Sequence, residues 1–159
     1  MKYVAVIGSR TPTKEQTKSC IHFVEGLVSK GYGIITGCAD GIDSIAMGVV
    51  NSIDPSLLFV VLPWASYNNH YIHKDNKTLT YDNKIHSLWA ESVSKYHPYA
   101  HRLTQGAYAL HARNYGIVIN SVAVVAYPHR KTGGGGTGQG MRIARHLNKI
   151  LKINPGVKL

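Results

Sequence analysis

Glycine-containing segments recur at three points of the chain where a short apolar run ends. They are Gly8-Ser9-Arg10, residues 36–43 and residues 133–139. Glycine lets the backbone approach a ligand closely, and the N-terminus of a following helix offers free N–H groups and a partial positive charge. Parallel strands bring their carboxyl ends to one edge of a sheet. The pattern predicts that a nucleotide or another phosphorylated molecule binds at that edge.

The predicted ligand-contacting residues come from these segments and from an Arg-Asn pair further along the chain. An arginine there suits two-point binding of phosphate, and Thr137 either caps a helix or binds a phosphate. The half of the chain that holds Arg113 has no acidic residue, so Arg113 is predicted to face a ligand anion. The full set is Gly8, Ser9, Arg10, Gly37, Ala39, Asp40, Gly41, Arg113, Asn114, Gly134, Gly135, Gly136, Thr137 and Gln139.

Aromatic and histidine residues suggest two further roles. Trp64 and Tyr67 lie in a polar, aromatic stretch and could stack on a base; the alternative is that they are partly buried under a lid. Two histidine pairs, at 70 and 73 and at 97 and 101, approach the spacing of zinc ligands. No cysteine or carboxylate closely accompanies either pair. The sequence therefore predicts no metal site, no catalytic residue and no required cofactor beyond the nucleotide-like ligand.

The positive charge of the chain is concentrated in one half. The net charge is +10, and all eight Asp and Glu residues precede residue 92, while ten Lys and Arg residues follow residue 91. Concentrated positive charge attracts polyanions. Single-stranded DNA is therefore an alternative partner, and the remaining interpretation is a basic surface with no specific use. The predicted contacts to a nucleic-acid backbone are Arg130, Lys131, Arg142, Arg145 and Lys149.

The length of 159 residues predicts one domain over residues 1–159. No apolar segment reaches the length of a membrane span, and the first apolar run is too short for a signal peptide. Cys20 and Cys38 make no disulfide framework and are expected to be reduced. A cytoplasmic location is expected, with no membrane partner.

Apolar periodicity predicts strands alternating with helices, and therefore a Rossmann-like, doubly wound α/β domain with a mostly parallel sheet. Residues 64–83 break the pattern and are expected to form a long loop, within a polar-aromatic insert or lid over 64–103. Residues 152–159 could add an edge strand. The predicted strands are 3–7, 33–36, 57–62 and 122–126, and the predicted helices are 14–30, one from 40–41 onward, 85–95, 103–116 and 137–151.

Together these segments resemble the SLOG superfamily, which contains the DNA-processing proteins DprA (Smf) and the LOG phosphoribohydrolases. Gly8-Ser9-Arg10 is similar to the G-[ST]-R of the first strand in the DprA branch, and residues 36–43 resemble its SG-x-A-x-G-I-D segment. Arg113-Asn114 resembles its RN pair, and residues 134–137 resemble the superfamily GGT loop. The match looks closest to compact single-domain phage members. The resemblance implies a nucleotide pocket and, in the DprA branch, binding of single-stranded DNA.

One position departs from the pattern of the LOG enzymes. Those enzymes carry a glutamate three residues after the loop threonine, and this chain has Gly140 there. Cleavage of an N-glycosidic bond needs a nearby carboxylate. We therefore expect a module that senses or sequesters a nucleotide, with DprA-like binding of single-stranded DNA as the alternative and LOG-type hydrolysis as the disfavoured one. A homodimer or higher homo-oligomer is expected.

Overall fold

The computed structural model describes residues 1–157 and contains one sheet of six strands, all parallel, in the order β4-β3-β2-β1-β5-β6. The predicted doubly wound α/β fold is confirmed. The strands are β1 (Tyr3–Gly8), β2 (Gly33–Thr36), β3 (Leu58–Leu62), β4 (Lys77–Thr80), β5 (Ala123–Tyr127) and β6 (Ile150–Ile153).

Five α-helices cover the two faces of the sheet. Thr13 caps α1, and its side chain and that of Gln16 form a reciprocal capping box. Helices α1 and α2 pack together on one face, and α3, α4 and α5 pack on the other. The helices are α1 (Lys14–Ser29), α2 (Ile42–Ile53), α3 (Ser87–Tyr96), α4 (Gln105–Ile119) and α5 (Gly135–His146).

The strands at the centre of the sheet are buried on both faces. Alternate residues of β1 point into different cores, with Val4 and Val6 on the α1–α2 side and Ala5 and Ile7 on the other. All five residues of β3 are buried. This two-sided burial explains why the central strands are continuous apolar runs without polar alternation.

The order of the strands reverses at β1. The chain builds outward from β1 through β2, β3 and β4, then returns to pair β5 with the opposite side of β1. The helices after β1 and β5 therefore leave on opposite faces, and a crevice opens between the carboxyl ends of these two strands. Ligands of open α/β sheets bind at such a point.

The predicted boundaries near the end of the chain were wrong. The last helix ends at His146, not at 151, because Asn148 adopts a left-handed backbone with φ of 54° and Lys149 donates its N–H to the carbonyl of Ala144. The chain then runs through β6 beside β5. The expected strand at 152–159 therefore begins earlier, at Ile150, and residues 158–159 lie outside the described residues.

The polar stretch after β3 is also more regular than predicted. It contains β4, which pairs with β3 from Phe59 to Leu62 and forms one edge of the sheet. Its exposed outer position explains the polar sequence of this strand, which lacks the apolar run of a central strand. Within 64–103 lies α3, which packs on α4 and buries Trp89 and Val93. This segment is thus partly a layer of the domain.

No helix in the described part of the chain is long and apolar enough to cross a membrane. Across residues 1–157, no group of three histidine, cysteine or acidic side chains comes close enough to hold a metal ion.

Candidate functional site

A cavity of about 410 Å³ opens at the switch point between β1 and β5. This volume lies within the usual range for small-molecule sites. Four parts of the chain form its wall: the loop after β1, the loop after β2, the middle of α4 and the glycine-rich loop that leads into α5. Most of the predicted residues line it, namely Gly8, Ser9, Arg10, Ala39, Arg113, Asn114, Gly134, Gly135, Gly136 and Thr137.

The loop after β1 is locked by close packing. A Cβ at Gly8 would lie 2.6 Å from the side chain of Ile42, so the start of α2 approaches the end of β1 more closely than any other residue allows. Buried Ser9 donates its N–H to the carbonyl of Tyr127 at 2.8 Å and accepts the N–H of Ile42 at 3.0 Å through its own carbonyl. Arg10 follows as an exposed cation at the cavity mouth.

The loop after β2 is organised by a buried carboxylate. Asp43 Oδ2 accepts the backbone N–H of Gly37 and that of Ala39, each at 3.2 Å. The guanidinium of Arg113 lies against the same turn and donates to the carbonyls of Gly37 and, at 3.3 Å, Val61. A Cβ at Gly37 would lie 2.7 Å from Arg113 Nη1 and 3.0 Å from Asp43 Oδ2. Glycine is required there because the two charged groups meet over it.

This geometry changes the interpretation of Arg113. The acid that its own half of the chain lacks is supplied by Asp43 from the first half, so the arginine is 5% exposed and partnered within the protein while it also lines the cavity. Burial raises the pKa of Asp43, and Arg113 and the backbone N–H groups oppose that rise. Burial likewise lowers the pKa of Arg113, and Asp43 opposes the change. The two charges thus act on each other beneath the loop, although no direct salt bridge joins them among the described residues.

The glycine-rich loop presents the N-terminus of α5 to the cavity. Gly133 and Gly135 have positive φ values of 58° and 67°, which a residue with a side chain adopts only with strain. Gly134 precedes the helix and offers no side-chain cap. Among the described residues, no group accepts the N–H of Gly135, Gly136 or Thr137. Free donors at the positive end of a helix dipole are the groups that anion sites use.

A hydrogen-bonded chain of side chains joins α4 to the first turns of α5. Arg113 Nε donates to Asn114 Oδ1 at 3.1 Å, and Asn114 Nδ2 donates to Gln139 Oε1 at 3.1 Å and to the carbonyl of Gly136 at 3.4 Å. His111 Nδ1 lies 2.6 Å from the same Gln139 oxygen. Gln139 is fully buried and is absent from the cavity wall, so it supports the loop from behind.

Sequence reasoning missed five polar residues of the wall, Thr11, Asp43, His111, His129 and Thr132. His111 precedes the Arg-Asn pair by two residues, and its position one helical turn from Asn114 was the available signal. His129 and Thr132 lie in the loop between β5 and α5. Asp40 and Gly41 lie beside the cavity: Asp40 is exposed and accepts the Tyr71 hydroxyl at 2.7 Å.

The two predicted stacking residues lie outside this wall. Trp64 lines a second, wider depression near the ends of β3 and β4. Tyr67 is half-buried, packs edge-on against Trp64, and has the Arg113 guanidinium 5.5 Å from its ring centre. The structure therefore places Tyr67 over the buried arginine, behind the cavity.

The five predicted backbone cations fall into separate places. Arg130 and Lys131 are exposed in the loop after β5, on the cavity side. Arg142 donates to the carbonyl of Tyr96 at 2.9 Å, and Arg145 is exposed near the end of α5. Lys149 donates to the carbonyl of Ser121 at 2.7 Å, at the opposite edge of the sheet. They do not make one continuous patch.

A protein-family comparison matches residues 1–157 to the family described as DNA recombination-mediator protein A. Comparison with curated proteins gives no significant match.

Solved structures share the fold at low sequence identity. DNA processing protein A from Helicobacter pylori, which binds single-stranded DNA, has 21% identity and a TM-score of 0.68, with 96% of this chain and 64% of that chain covered. DNA processing protein A from Streptococcus pneumoniae has 19% identity and a TM-score of 0.67, with 96% and 50% covered. The molybdenum cofactor binding protein from Rippkaea orientalis has 18% identity and a TM-score of 0.65, with 96% and 75% covered. The chain thus spans less than two thirds of either DNA processing protein.

Proposed function

The chain belongs to the DNA recombination-mediator protein A family, and we propose that its cavity binds a nucleotide-like ligand through a phosphate at the N-terminus of α5. One observation carries the proposal: three backbone N–H groups of this helix lack acceptors among the described residues and belong to residues that line the cavity. The hydroxyls of Ser9 and Thr137 and the cation of Arg10 lie on the same wall. Free N–H groups, hydroxyls and an arginine are the donors that phosphate sites use.

Calorimetry with a panel of mono-, di- and cyclic nucleotides tests this site. We expect at least one of them to bind with micromolar or better affinity, and Arg10→Ala to weaken that binding by about 1.5–3 kcal/mol, the range for a hydrogen bond to a charged group. Arg145→Ala is the matched control because this arginine is exposed near the far end of the same helix. Absence of heat with every nucleotide at ~100 µM protein would contradict the proposal.

Binding of single-stranded DNA is a second candidate, and the exposed pair Arg130 and Lys131 beside the cavity favours it. The relative from Helicobacter pylori binds such DNA. The strand would place a phosphate at α5 and its neighbours along this loop. Fluorescence anisotropy of a labelled oligothymidylate measures the association constant, which should fall with salt at a log–log slope of about 0.7 per phosphate contact. Joint replacement of Arg130 and Lys131 by alanine should reduce that slope, and Lys149→Ala should leave it unchanged.

N-glycosidic hydrolysis has the least support of the three functions. The chain has no carboxyl at position 140, and a Cβ there would lie 2.7 Å from Ile7 Cδ1, so any side chain at this position requires the Ile7 side chain to shift. Among the residues that line the cavity, Asp43 is the one acid, and its Oδ2 already accepts two backbone N–H groups. A positioned acid or base contributes about 100- to 10,000-fold. We therefore propose that AMP and CMP stay intact when they are incubated with the protein. Chromatography detects any free base, and its release would contradict this proposal.

A further inference from the structure

The hydrogen-bond chain behind the glycine-rich loop has a fixed direction. Arginine can only donate, so Arg113 Nε identifies the atom of Asn114 that it contacts as the amide oxygen. The other end of that amide is then its NH₂ group. Its contact with the carbonyl of Gly136, which can only accept, agrees. The same NH₂ group lies 3.1 Å from Gln139, so the atom of Gln139 at this point is its oxygen.

The direction of this hydrogen-bond chain determines which ring nitrogen of His111 carries the proton. Nδ1 of His111 lies 2.6 Å from the Gln139 oxygen, which cannot donate, and so Nδ1 must carry the proton. Reversal of the Gln139 amide would place two NH₂ groups 3.1 Å apart. The orientation holds even though it leaves Gln139 Nε2 buried without a partner among the described residues. In the neutral ring, Nε2 then has no proton and offers a lone pair.

Four other histidines have the opposite pattern, whereas His146, like His111, accepts through Nε2, here from Lys95 Nζ at 3.2 Å. Nδ1 accepts a backbone N–H in His73, His86, His97 and His129, so Nε2 carries the proton in each neutral ring. His129 lines the same cavity as His111. The cavity wall therefore includes one histidine that donates through Nε2 and one that accepts through it.

The accepting nitrogen is open. No described group bonds to His111 Nε2, and it is not among the buried polar atoms that lack a partner, so it is accessible. Burial of the ring lowers the pKa of His111, an effect that the positive charges of Arg113 and Arg142 reinforce and the bond to Gln139 opposes. The ring is therefore neutral at physiological pH.

We propose that His111 Nε2 is a hydrogen-bond acceptor for the ligand, and that the cavity selects a phosphorylated molecule that carries a hydroxyl or N–H donor beside its phosphate. This inference rests on the proposed phosphate site. The other polar groups of the wall that we assign to the phosphate are donors. An acceptor among them cannot form a hydrogen bond with an oxyanion that carries no proton. A sugar phosphate or nucleotide supplies both an anion and a donor.

Long-range ¹H–¹⁵N spectra of the imidazole rings test the assignment without any ligand. At pH 7.5 we expect His111 to show a protonated Nδ1 and a bare Nε2, and His97 in the same spectrum to show the reverse. Gln139→Leu removes the acceptor of Nδ1–H and should abolish the distinction between the two rings. Protonation of His111 at Nε2 in the unmodified protein would overturn the inference.

Binding of sulfate and of AMP then tests the choice of ligand. His111→Phe removes the acceptor and should weaken AMP binding about two- to tenfold, the effect of one neutral hydrogen bond, while sulfate binding stays the same. His111→Gln restores an amide oxygen near the position of Nε2 and should recover part of the loss. An equal loss for AMP and sulfate would overturn the selection of a donor-bearing ligand. Failure of both probes to bind, with the expected spectrum, would contradict the phosphate site and leave the assignment of the acceptor standing.

Discussion

The loops of the cavity use glycine for two different physical reasons. In the loops after β1 and β2, another part of the protein occupies the space of a side chain at Gly8 and Gly41: Ile42 in the first case and the backbone at Ser9 and Arg10 in the second. Gly41 also has a positive φ of 82°, so both reasons apply to it. In the loop before α5, Gly133 and Gly135 have open space around a Cβ and are required by their positive φ. The first two loops are held by packing, whereas the third is shaped by backbone conformation and faces solvent.

This difference predicts where the site is rigid. The packed loops bring Ser9, Asp43 and Arg113 to fixed positions through backbone bonds that persist without ligand. The glycine-rich loop leaves N–H groups unpaired among the described residues, and Gly133 and Gly135 are exposed. A ligand would therefore order the third loop against a frame that the first two loops already supply.

The largest expected effect is a loss of stability when Asp43, the buried acid beneath the loop after β2, is replaced. Asp43→Ala removes the acceptor of two backbone N–H groups and leaves the Arg113 guanidinium without its countercharge. A buried donor left unsatisfied costs about 1–3 kcal/mol, so the loss of the acceptor of two such groups should cost about 2–6 kcal/mol. Urea unfolding measures the free energy of unfolding, and exposed Asp40→Ala serves as the control, within about 0.5 kcal/mol of the unmodified protein. Equal stability of the two variants would show that Asp43 does not hold the loop.

A matched pair of glycine substitutions compares the two kinds of loop directly. Gly41→Ala places a Cβ against the backbone of the β1 loop at φ of 82°, and strain and overpacking together should cost about 2–4 kcal/mol. Gly134 has φ of −105°, and a Cβ there would have its nearest neighbour at 3.8 Å, so Gly134→Ala should change the stability by less than about 1 kcal/mol. Thermal unfolding separates them, and a large loss in Gly134→Ala would contradict the description of the third loop.

The smallest expected effect is a change with pH in the contribution of Asp43 to the free energy of unfolding. Burial raises the pKa of Asp43 above its unfolded value of about 4. The contribution of this carboxyl is fully present below the unfolded pKa and is lost as pH rises through the folded pKa. The free energy of unfolding of the unmodified protein minus that of Asp43→Asn should therefore fall as pH rises from 4, with a limiting slope of about 1.4 kcal/mol per pH unit between the two pKa values. A difference that rises with pH would show that the folded protein lowers this pKa.

Local signals in the sequence are enough to establish the fold class, the central strands and helices, and the edge of the sheet where the site lies. These signals are apolar runs of strand length, helical periodicity, the Thr13 cap and glycines at strand ends. Most of the predicted ligand-contacting residues line the cavity, because parallel topology alone brings the ends of separate strands together.

The partners of the side chains, in contrast, depend on the tertiary structure. Asp43 and Arg113 lie 70 residues apart in the chain, and no local pattern shows that one neutralises the other. The proton of His111 depends on a path through three further side chains, which exists only after α4 packs on α5. The strand character of β4 and β6 depends on pairing with β3 and β5, since strand propensity is weak at a polar edge. Long-range contacts outweigh local preference at each of these points.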